Sequence, residues 1–115
     1  MTNEIIKIYD LPKISLNEWY AGKHWTERKK IKDIYKILIR SKCKTVFPEN
    51  KKYNVSYEFN YKKNPLDATN TIAMTKMIED VLFKSDKWDI VKSVKVSSLK
   101  SEIKQDYVII NVEIL

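Results

Sequence analysis

A single small α/β domain of α+β type, with two main helices packed on one mixed sheet in the order β-α-β-α-β-β, is predicted by three observations. The stretch "YNVSYEFNY" (53–61) alternates strictly and puts Tyr53, Val55, Tyr57, Phe59 and Tyr61 on one face, the period of a half-buried strand. Two other segments carry apolar residues at helical spacing, and the remaining apolar runs alternate again around them. The chain has 115 residues, enough for one core and too few for two, so residues 1–115 are read as one domain.

The first strand is "EIIKIYDL" (4–11), stopped by Pro12 ahead of a polar connection, "KISLNEWYAGKH". A helix follows from Thr26. Its Ile31, Ile34, Tyr35, Leu38 and Ile39 form one apolar stripe, and Arg28, Lys29, Lys30, Lys32 and Lys36 occupy the remaining surface. After the alternating strand and Pro65 comes a second helix with Met74, Met77, Ile78, Val81 and Leu82 at helical spacing. Asp67, Thr69 and Asn70 are each competent to cap its start. Two last runs, "IVKSVKV" and "YVIINVEI", are separated by the polar "SSLKSEIKQD" and read as a closing hairpin. The alternating tyrosines 53, 57 and 61 are expected in the core or a subunit interface, and Met74 and Met77 in the core.

Charge points to the class of partner. Lys and Arg number 22 against 15 Asp and Glu, a net charge of +7 that favours a polyanion through release of condensed counterions. Nearly all of it is lysine, with Arg28 and Arg40 the only arginines. Bidentate reading of guanine edges is therefore a minor source of binding, and backbone or shape recognition the main one. One cysteine, Cys43, and one histidine, His24, make neither a disulfide nor a zinc site, which suits a reduced cytoplasm. The acidic N-terminal stretch and the absence of any eighteen-residue apolar run predict neither export nor a membrane span. With a single glycine, nucleotide-cradling glycine loops are excluded.

The most informative stretch is "NPLDATNTIAMTKMIEDVL" (64–82). Read plainly, Asp67 or Asn70 caps a helix, Lys76 is a solvated side chain, and Asp80 and Asp86 are surface carboxylates. A metal site would instead need oxygen ligands that converge, since Mg²⁺ is held by one or two carboxylates with water and substrate phosphate. Near the first helix, Lys23, Arg28, Lys29 and Lys30 cluster where the macrodipole adds positive potential, beside Trp19, Tyr20 and Trp25. That group is either a solvated face with aromatic packing or a phosphate-tracking surface with a ring for an unpaired base. His24 is more plausible there as a DNA contact than as a general base.

The segment from Asp67 to Val96 resembles the core of the RusA-type Holliday-junction resolvases, small endonucleases of phages and prophages. In that family an Asp-X-Asp-Asn motif opens a helix containing Lys-X-X-X-Asp-X-Leu, and an Asp-Asp pair precedes a valine-rich strand. This chain has "DATN" (67–70), "KMIEDVL" (76–82) and "SDKWDIVKSVKV" (85–96) in the same order, and "SLNEWY" (15–20) is similar to the family's upstream Ser-X-Asn-X-X-Tyr element. The resemblance implies a homodimeric, cytoplasmic, phage- or prophage-encoded nuclease that binds branched DNA and nicks four-way junctions symmetrically with Mg²⁺, or with Mn²⁺ in its place. It assigns Asp67 and Asp86 as metal ligands, with Asp80 or Asp89 as further candidates. Lys76 becomes the residue that stabilises charge at the scissile phosphate. Asn17, Tyr20 and Asn70 of the matched motifs join Lys23, His24, Arg28, Lys29, Lys30 and Lys76 as DNA contacts. Three positions depart from the pattern: Thr69 stands where a second aspartate is expected, Asn70 and Lys76 are six residues apart rather than three, and Ser85 replaces the first aspartate of the downstream pair. Two expectations follow, a working junction nuclease or a branched-DNA-binding module that has lost cleavage.

Overall fold

The computed structural model describes residues 2–21, 25–45, 47–83 and 89–115. The predicted order is observed with two additions. The chain runs β1 (Thr2–Tyr9), a short helix α1 (Leu16–Ala21), α2 (Trp25–Lys42), β2 (Tyr53–Tyr61), a 3-10 turn η1 (Ala68–Thr71), α3 (Ile72–Leu82), β3 (Val91–Lys100) and β4 (Tyr107–Ile114). β1 ends two residues earlier than its apolar pattern suggests. Asp10 takes a left-handed conformation at φ 59°, which aspartate tolerates better than most residues, and its N–H donates to the Asp106 carbonyl at 2.9 Å.

The strands lie in the order β1-β4-β2-β3, mixed as expected, with β4 antiparallel to both neighbours and β3 parallel to β2. The expected closing hairpin is therefore not formed. β3 and β4 flank β2 on opposite sides, because η1 and α3 form the crossover that a parallel β2–β3 pair requires. Residues 101–106 then pass across the end of β2, where the Ser101 N–H donates to the Tyr61 carbonyl and the Lys62 N–H to the Asp106 carboxylate, at 2.8 and 2.7 Å. Sequence character follows position. The apolar "YVIINVEI" is paired on both edges, whereas "VKSVKVSSLK", studded with lysines, is an edge strand of the kind that resists further pairing.

The helices cover one face of this sheet. Ile6 and Ile8 of β1, Val108, Ile110 and Val112 of β4 and all five odd-numbered residues of β2 are buried there against Tyr35 and Ile39 of α2 and Met74, Met77, Ile78, Val81 and Leu82 of α3. The tyrosines at 53, 57 and 61 thus belong to the core, as do both methionines. Each buried phenol finds a partner: Tyr53 donates to the Pro48 carbonyl at 2.8 Å, Tyr57 to Glu79 Oε2 at 2.8 Å, and Tyr61 lies 3.5 Å from the Met74 sulfur. Among the described residues no helix covers the other sheet face. No helix among the described residues is long and apolar enough to cross a membrane.

Burial holds the Glu79 carboxyl above its ordinary range, against the opposing pull of the Tyr57 hydroxyl and Lys76. An acid that binds its proton more tightly in the folded state loses stability as pH rises from its ordinary value through the raised one. Thermal melts between pH 4 and pH 8 should therefore show a decline that Glu79→Gln removes. Tyr57→Phe, which strips the carboxylate of its donor, should cost about 1–3 kcal/mol at pH 8 and less near pH 4; an equal loss at both pH values would show that Glu79 is not the group responsible.

Candidate nucleic-acid interface

One end of the domain gathers the starts of its helices. "SLNE" (15–18) forms a reciprocal capping box: the Glu18 N–H donates to Ser15 Oγ at 3.1 Å and the Ser15 N–H to Glu18 Oε1 at 3.3 Å. This is why six residues in a polar connection become helix α1, which is further anchored by buried Leu11, Ile14 and Trp19. The Tyr35 hydroxyl donates to the Pro12 carbonyl at 2.6 Å, tying the same connection to α2. α1 packs against η1 and α3, so the "SLNEWY" and "DATN" segments, some fifty residues apart in sequence, meet in space.

The aromatic group near α2 divides by burial. Trp19 is inside, and the Arg28 guanidinium lies 5.4 Å from its ring centroid with the Lys32 ammonium 6.0 Å away. Both cations are thus drawn toward the ring face and held near the start of α2. The Arg28 Nε is buried without a hydrogen-bond acceptor. Lys29, Lys30 and Tyr20 are exposed, so Tyr20 presents an open ring face. Arg40, the second arginine, serves the fold: it donates to the Val81 carbonyl at the C-terminal end of α3 and to the Thr45 carbonyl. The ends of α2 and α3 are therefore together, and their N-termini point toward the α1 end. Two positive helix ends and the cations Arg28, Lys29, Lys30 and Lys32 thus bias this corner toward an anion.

Asp67 precedes η1 and is exposed; Asn70 lies within η1 and is half-buried. None of the three candidate caps acts through its side chain: neither η1 nor α3 has a side-chain cap, and the Asn70 N–H donates to the Asp67 carbonyl at 2.8 Å. The 3-10 turn takes up residues between Asn70 and Lys76 that a directly opening helix would lack. The Ser98 hydroxyl donates to the Leu66 carbonyl, and Lys13 donates to the Lys63 and Asn64 carbonyls at 3.1 Å each, fixing the loop that carries Asp67 at the C-terminal end of β3. Lys76 and Asp80 are exposed on one stripe of α3, a turn apart, with Asp80 about 12 Å along the axis from the helix start. Asn17 is exposed on α1.

Asp89 stands at the other end of the domain. It precedes β3, pairs with Lys52 at 2.9 Å, and is held below the ordinary carboxylate range by that hydrogen bond. The length of α3, about 16 Å, separates this end from the corner holding Asp67. Asp86, Lys23 and His24 lie outside the described residues. Among the described residues no three of His, Cys, Asp and Glu form a group that could hold a metal. Among the described candidate ligands Asp67 alone stands at the helix-start corner, with Asp80 farther along α3 and Asp89 at the opposite end of the domain. Three residues with evident roles, Ser15, Glu18 and Glu79, escaped the sequence reading. Ser15 and Glu18 were legible as S-x-x-E ahead of a helix, whereas the Glu79–Tyr57 contact joins residues on separate elements and leaves no local signal.

Neither a protein-family model nor a curated protein matches the chain. Ser15→Ala is expected to cost about 1 kcal/mol in denaturant unfolding. It should also speed amide exchange in α1 well before the sheet; unchanged exchange there would show that the box does not hold the helix.

Proposed function

We propose that this protein acts on branched DNA in the manner of the RusA-type junction nucleases, with the corner formed by α1, η1 and the start of α3 as its DNA-facing site. One observation carries the reading: the two segments that resemble that family's separate motifs, "SLNEWY" and "DATN", pack together at the end where two helix N-termini and a lysine-rich turn of α2 collect positive potential. Arg28, Lys29, Lys30 and Lys32 track the phosphate backbone. Tyr20 offers its ring to a base left unstacked at the branch point, and Lys76 neutralises charge at the phosphate nearest α3. Asp67 supplies the carboxylate of the site. A divalent ion bound there would add Lewis acidity toward a phosphoryl oxygen and a more acidic water.

A second reading has its own support. Among the described residues no three of His, Cys, Asp and Glu gather around Asp67, and Thr69 beside it offers a hydroxyl, a poorer ligand for Mg²⁺. On that reading the protein holds branched DNA without cutting it.

Cleavage of a labelled synthetic four-way junction at low salt with Mg²⁺, beside EDTA and linear-duplex controls, separates the two. Symmetric, metal-dependent nicking that Asp67→Asn abolishes without loss of junction binding supports the nuclease. Tight, salt-sensitive binding without nicking supports the binding module, and Thr69→Asp should then bring cleavage up from nothing. Equal affinity for duplex and junction with no cleavage removes both.

A further inference from the structure

The sheet face that no described helix covers holds polar groups that neither the fold nor DNA binding uses. We propose that a hollow at its centre binds a small zwitterion, an α-amino acid with a compact apolar side chain. The inference rests on this face alone and not on the nuclease reading.

Strand register builds the hollow. On the outward face Asn111, Ser56 and Lys95 stand side by side across β4, β2 and β3, and Ile109, Glu58 and Ser97 form the next row. Ser56 and Ser97 are small and their neighbours long, so the six side chains bound a space of about 270 Å³. That is just below the size of sites for drug-sized ligands and suits a smaller molecule. Elsewhere this face satisfies its own polar groups. The Ser93 hydroxyl donates to Asn54 Oδ1 at 2.6 Å and Asn54 Nδ2 to Glu113 Oε1 at 3.0 Å, while the Lys7 ammonium lies 5.1 and 4.5 Å from the ring centroids of Tyr9 and Tyr107. Around the hollow the pattern reverses. The Asn111 side-chain oxygen is buried with no donor, and the side chains of Ser56, Glu58, Lys95 and Ser97 make no hydrogen bond or ion pair among the described residues.

These unpaired groups are sorted by kind. The Glu58 carboxylate and Asn111 Oδ1, on β2 and β4, only accept, whereas the Lys95 ammonium on β3 only donates and the Ser97 hydroxyl on the same strand donates beside it. An α-ammonium group brings three donors to the first side, and an α-carboxylate brings acceptors to the second, about one strand spacing or 5 Å away. A simple cation would face Lys95 and a simple anion would face Glu58, so only a ligand carrying both charges is matched. The whole face agrees with a ligand of no net charge. Its outward residues include Lys7 and Lys95 against Glu58 and Glu113, a balance of zero on a chain of +7, and a polyanion is drawn to the helix side instead. Half-buried Ile109 gives the hollow an apolar wall for the ligand's side chain. Because the charged groups also face water, the dissociation constant is expected on the order of 1 mM at low salt.

Amide NMR spectra of the isotope-labelled full chain at low salt test this. The probe is L-valine, with L-valinamide, which keeps only the ammonium, and N-acetyl-L-valine, which keeps only the carboxylate, as controls. L-Valine should shift the Ser56, Glu58, Lys95, Ser97 and Asn111 signals saturably, and each control should bind at least about tenfold more weakly. Glu58→Gln and Lys95→Met should each cost L-valine about tenfold in affinity while the protein stays folded, since neither side chain has a partner to lose. Asn111→Leu should lose binding yet melt at or above the wild-type temperature, because it removes an acceptor that the fold leaves unpaired. No saturable shift up to about 50 mM L-valine, equal responses to the three probes, variants that bind as wild type does, or an Asn111→Leu protein that melts lower would each overturn the assignment.

Discussion

Four buried tyrosine hydroxyls hold this fold in place. Burying a phenol in an apolar core is favourable only when its hydroxyl finds an acceptor, and each one here finds it on a different part of the chain. Tyr53 reaches the loop before β2, Tyr57 and Tyr61 reach two successive turns of α3, and Tyr35 reaches the connection that leads into α1. Burial pushes the Tyr35, Tyr57 and Tyr61 phenols well above their ordinary range, so they remain neutral donors under all ordinary conditions. Three of the four stand on β2. That strand therefore fixes the crossover helix against the sheet, and the helix in turn fixes the loop that carries Asp67.

How far the sequence foretold this depended on the range of each interaction. The strict alternation of β2 and the apolar stripes of α2 and α3 are local, and the burial of Tyr53, Tyr57, Tyr61, Tyr35, Ile39, Met74 and Met77 follows them. Ile34, placed on the same stripe, is instead exposed, because α2 turns only its Tyr35–Ile39 edge fully inward. The order of the last two strands was not local. No local pattern between Val91 and Ile114 records that β4 must sit between β1 and β2; the signal lies in comparing the two strands, of which β4 is the one apolar enough to be paired on both edges. At the candidate site the sequence brought forward Asp67, Lys76 and Asp89 together. The fold separates Asp89 from Asp67 by the length of α3 and engages it with Lys52.

The molecule is electrostatically two-sided. Its helix layer carries the lysine-rich turns of α2, while its bare sheet face is neutral and centred on an unsatisfied amide oxygen. Arg40 belongs to neither surface, since it closes the C-terminal end of α3. Arg28 is therefore the one arginine left to meet an anion, and its position beside Trp19 keeps part of its guanidinium turned inward. Recognition at this corner must then come mostly from lysines, which act as point charges and carry little base specificity.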